Sequence, residues 1–68
     1  MTDTPMELIR KLDETAAALA DLAEQVRHAA DAVTDVELRQ EMLESAEGMQ
    51  VRASKMAEAI GRWRRMIQ

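Results

Sequence analysis

Two apolar stripes run along this 68-residue chain, and they do not share a register. Leu8, Leu12, Thr15, Leu19, Leu22, Val26, Ala29 and Val33 follow alternating spacings of four and three. Ile9, Ala16, Ala23 and Ala30 widen that stripe to three positions in every seven. Further on, Met42, Ala46, Met49, Ala53, Met56, Ile60, Trp63 and Ile67 repeat the four-three spacing. Such spacing marks one face of an α-helix. Carried onward, the first register puts Gln40, Glu47, Gln50 and Ser54 on the seam. A turn near residues 32–35 brings both stripes to one side instead.

Local signals agree with that division. Thr4-Pro5-Met6-Glu7 offers a hydroxyl N-cap, proline at the first helical position and Glu at the third. Proline suits that position because its missing N–H has no helical partner there. Thr34-Asp35-Val36-Glu37 repeats the capping box in mid-chain, with Val33 and Leu38 placed as a hydrophobic staple. The prediction is all-α: an antiparallel two-helix hairpin, about residues 5–32 and 35–67, in one domain over 1–68 with a flexible N-terminus at 1–4. A loop this short forces the helices antiparallel. No glycine stands where it would cap the first helix, which keeps a bent or continuous helix pairing with its own copies as the alternative.

A stripe three positions wide exceeds the two in seven that a helix pair needs for its seam. Chains under about 70 residues rarely hold a fold without disulfides, a metal or a partner. The expected partner is a second copy, giving a homodimeric four-helix bundle. Its self-association and core seam is read as Leu8, Leu12, Leu19, Leu22, Val26, Met42, Met49, Met56, Ile60 and Trp63. Higher oligomers and an unidentified protein partner are the alternatives. The methionines at intervals of seven, interleaved with Ala46 and Ala53, also fit an adaptable groove for an amphipathic helix, since methionine adjusts its shape readily.

Composition removes most chemistry. The absence of cysteine excludes disulfides, thiolate zinc sites and cysteine nucleophiles. A single histidine, His28, cannot build a His-based metal site or an ordinary Ser-His-Asp arrangement. Glu24, His28 and Asp31 do share a helical side, but it is the polar one, with no second helix to complete a metal shell. Neither a catalytic residue nor a cofactor or metal is expected. The longest apolar run, Ala16 to Ala20, is far short of the roughly 20 residues of a membrane span. The N-terminus is acidic, unlike a signal or transit peptide, so a cytoplasmic location without membrane contact is expected.

Charge is unevenly spread. Residues 31–47 carry a net −5 and residues 51–68 a net +4, within a total of −4. Acids at a helix start and bases at its end suit the helix dipole. In an antiparallel pair of hairpins the acidic turn of one also meets the basic end of the other. The net charge argues against a general nucleic-acid binder. Arg62, Arg64 and Arg65, around Trp63, form a possible anion or partner patch, because arginine pairs bidentately with phosphate or carboxylate.

The run Asp35-Val36-Glu37-Leu38-Arg39-Gln40-Glu41-Met42-Leu43-Glu44-Ser45-Ala46-Glu47 resembles a pattern in short, functionally unassigned proteobacterial helical-hairpin proteins, over about residues 35–57. That resemblance implies a helical hairpin and no activity. In size and architecture the expected hairpin is also similar to the plasmid copy-number protein Rop, a dimeric bundle that binds paired RNA loops, without any shared motif. Three functions follow as expectations. One is a non-enzymatic, self-associating hairpin acting through protein–protein contacts as adaptor, inhibitor or small regulator. The others are a Rop-like nucleic-acid regulator using the C-terminal arginines, and a subunit or chaperone of a larger complex.

Overall fold

A computed structural model describes residues 4–67 of the chain. It is a helical hairpin, with α1 over Pro5–Asp31 and α2 over Val36–Ile67. Each end lies within a residue of the sequence expectation. Apart from Thr4, the segment expected to be flexible lies outside the described residues. Gly61 sits inside α2 and does not end it.

Thr4 caps α1 as its position predicts, its Oγ1 accepting from the Glu7 backbone N–H at 3.2 Å. The second cap is displaced by one residue. Asp35, and not Thr34, accepts through Oδ1 from the N–H groups of Glu37 at 3.0 Å and Leu38 at 3.2 Å. A carboxylate at a helix N-terminus also faces the positive end of the dipole. A polar clamp also holds the turn. Arg39 folds back and donates from Nε at 3.0 Å and Nη2 at 2.6 Å to the Val33 carbonyl.

That clamp, with two tight bonds, explains how α1 ends without glycine. The N–H groups of Ala32 and Val33 donate to the carbonyls of Ala29 and Ala30, both at 3.1 Å. These three-residue bonds satisfy carbonyls the helix leaves open. Ala32 keeps right-handed angles, φ −89° and ψ −6°, so no left-handed residue is needed. Asp35→Ala is expected to lower stability by about 0.5–2 kcal/mol, whereas Thr34→Ala stays within about 0.5 kcal/mol. Urea melts of both variants at equal concentration check the order.

The centre of the hairpin is built from small side chains. Ile9, Ala16, Ala23 and Ala30 on α1, and Ala46, Ala53 and Ile60 on α2, are the buried hydrophobic residues. Each set steps by seven along its helix, and the two columns run in opposite directions. Ile9 and Ile60 meet in one cluster at the open end, with Leu12 and Met56 packed against it. The same step sets Ala16 level with Ala53 and Ala23 level with Ala46. Alanine at the line of contact lets two helix backbones approach to the short end of the usual 8–10 Å range.

This corrects the α1 register. Leu8 and Leu22 are exposed, and so are Thr15 and Ala29. Their neighbours one residue on, Ile9, Ala16, Ala23 and Ala30, occupy the seam. The α2 register follows the expectation from Met42 to Ile60, with the methionines half-buried and the alanines and Ile60 buried. Trp63, expected to close the core, is 44% exposed, outside the buried cluster.

Candidate functional site

Rotation about each helix decides where the displaced leucines go. At about 100° per residue, Leu12, Leu19 and Val26 stand about 60° from the α1 seam column, and Leu8 and Leu22 about 100°, in one rotational sense. Met42, Met49, Met56 and Trp63 are displaced from the α2 column by a similar angle in that sense. Because the helices are antiparallel, equal rotations in the sequence sense carry both sets to the same side of the pair. The shared packing of Leu12 and Met56 on the Ile9–Ile60 cluster confirms the placement. One long side of the hairpin is therefore a continuous leucine–methionine face.

Accessibility grades across that face. Leu12, Leu19, Val26, Met42, Met49 and Met56 are half-buried, since each leans on the alanine seam. Farther out, Leu8 is 51% and Leu22 46% exposed. Thr15, the one polar member of the leucine column, donates its hydroxyl to the Lys11 carbonyl at 3.0 Å. Its polar atom is thus satisfied within the helix, and its methyl group is free for apolar contact.

The opposite side has a different character. Ala16, Ala17, Ala20, Ala53 and Ala57 line a shallow hollow of about 300 Å³, edged by Asp13, Gln50 and Ser54. At its end Arg64 reaches across to Asp13, Nη2 to Oδ2 at 3.6 Å. This is a helix-to-helix ion pair, partly exposed and correspondingly weak.

The three C-terminal arginines do not converge. Arg64 is committed to the alanine side, whereas Arg62 and Arg65 are exposed on the outer side of α2. The Glu24, His28 and Asp31 set is not a ligand cage either. Glu24 Oε2 accepts from Arg27 Nη1 at 2.9 Å, and its Oε1 lies 3.9 Å from His28 Nε2. Among the described residues, no group of three or more His, Cys, Asp or Glu side chains is placed to hold a metal. Among the same residues, no helix is long and apolar enough to cross a membrane.

Ile9, Ala16, Ala23 and Ala30, which the sequence reading places in the widened stripe but not in the core seam, are the α1 side of the seam. Their signal was present as a heptad of small side chains, but greater hydrophobicity draws the reading to the leucines beside it. No protein-family model, curated protein or solved structure matches this chain.

Proposed function

We propose that the chain is a cytoplasmic, non-enzymatic helical hairpin that self-associates through its leucine–methionine face into a four-helix bundle. It acts through protein–protein contacts as an adaptor, inhibitor or small regulator. The observation that carries this reading is the meeting of the leucine and methionine columns on one side, over a core of five alanines and two isoleucines. Alanine side chains bury little apolar area, so most of the chain's hydrophobic potential lies on that face and not in the seam. A second copy covers it. The hairpin measures 49 × 22 × 14 Å, and its broad side is larger than the about 800 Å² per partner of a standard interface.

The uneven charge supports the same partner. Copies of one chain stacked in opposite directions set a turn region of net −5 beside a C-terminal region of net +4. Sedimentation equilibrium over a dilution series tests the proposal. The expected mass is twice 7.7 kDa, with dissociation favoured by salt because the charges are exposed. A folded monomer at every concentration overturns it, and makes the same face a site for a different protein.

A further inference from the structure

Around Gly48 the charges of α2 repeat outward with reversed sign. Glu44 and Glu41 stand four and seven positions before it, and Arg52 and Lys55 stand four and seven after it. Steps of four and seven return to the same side of a helix. In the structure Glu41, Glu44, Ser45, Gly48, Met49 and Arg52 line a groove of about 490 Å³ along α2. No atom lies within 4 Å of the place a Gly48 Cβ would take. Packing within the hairpin therefore does not require glycine there, although glycine weakens a helix relative to alanine.

We propose that a second copy of this chain lays its α2 antiparallel along this groove, about a two-fold axis at Gly48. The inference rests on the self-association reading and adds its geometry. A two-fold interface needs a self-complementary patch, in which residue i meets j and j meets i. The Gly48 pattern meets that condition: Glu41 faces Lys55 of the second copy, and Lys55 faces Glu41 of the second copy. Glu44 and Arg52 repeat the relation nearer the axis. Within one chain Glu44 accepts only from Gln40, at 3.2 Å. Glu41, Arg52 and Lys55 have no ion pair or side-chain hydrogen bond within the described hairpin.

The apolar face has the same centre. Ala23 lies level with Ala46, so Gly48 lies level with about Asp21 on α1. Leu19 and Leu22 straddle that level. One two-fold axis thus sets Leu19 against Leu22 of the second copy, Met49 against Met49, and Met42 against Met56. A parallel arrangement instead stacks acidic turn on acidic turn.

Two sets of variants test the geometry, each checked for helicity and sedimentation mass. Gly48→Cys introduces the only thiol in the chain, at the position that is its own counterpart across the axis. Oxidation is expected to cross-link this variant rapidly, while Glu37→Cys, far from the axis, remains uncross-linked. Glu41→Lys alone sets lysine against Lys55 twice per dimer, and its Kd is expected to rise about tenfold at low salt. Adding Lys55→Glu restores it. A wild-type chain that is dimeric, yet whose Gly48→Cys variant resists cross-linking and whose Glu41→Lys variant associates normally, overturns this geometry and leaves self-association standing. A monomeric wild-type chain overturns both.

Discussion

Replacing Leu19 and Met49 together by glutamate reduces the mass in solution to that of one chain. Both side chains are half-buried at the middle of the leucine–methionine face. In the bundle each substitution occurs twice, so four carboxylates meet where water is excluded. The effective penalty for burying an unpaired charge is several kcal/mol per ion. Even a total of about 4 kcal/mol raises Kd about a thousandfold. The helical signal falls with the mass, because the separated hairpin retains only its alanine seam.

Ala17→Glu with Ala57→Glu supplies the comparison. Those two residues are exposed on the opposite side and line the alanine hollow. The same charge is added there without touching the proposed interface, and the dimer mass is expected to persist. Equilibrium sedimentation of the two double variants at matched concentrations separates the sides. A dimer that survives Leu19→Glu with Met49→Glu places the self-association surface elsewhere.

Ala23→Leu is expected to destabilise the hairpin by about 1–3 kcal/mol, the usual cost of forcing extra carbon into a packed site. Ala23 is completely buried, at 0% exposure, and stands level with Ala46, in the middle of the alanine seam. A leucine there has to push the backbones apart, which loosens the packing of every alanine along the column. Leucine is itself a good helix former, so any loss comes from packing and not from propensity. Ala18→Leu, on an exposed position of the same helix, is expected to stay within about 0.5 kcal/mol. Denaturant unfolding at one fixed protein concentration checks the pair, because the stability of an associating chain depends on concentration. Equal midpoints for Ala23→Leu and the parent chain remove the close alanine seam.

Much of the fold was legible in the order of residues. The mismatch between the two stripes placed the turn, and the Thr4-Pro5 and Thr34-Asp35 signals placed the helix starts, because caps and periodicity act over a few neighbouring residues. The α2 register was legible as well, since its alanines and methionines alternate in a single narrow column. What local order did not decide was the rotation of α1. Its stripe is wide enough to bury either the leucines or the alanines. The leucines are the more hydrophobic, yet their bulk holds two backbones apart, whereas alanine at the axis lets the helices close and lets leucines flank the contact.

The candidate site depended on that rotation. Only with Ile9, Ala16, Ala23 and Ala30 turned inward do Leu8, Leu12, Leu19 and Leu22 come round to the methionine side, and only then does the hairpin acquire one strongly apolar face. The turn shows the same division at smaller scale. The sequence determined that a cap stands at residues 34–35 because a short polar side chain there accepts from the open N–H groups of a helix start. The choice of Asp35 over Thr34, and the use of Arg39 to hold the Val33 carbonyl, followed from how the chain reverses. By itself the order of residues determined two helices, their ends and two apolar stripes; tertiary structure decided which side of α1 faces α2, because that choice turns on how closely two backbones can pack.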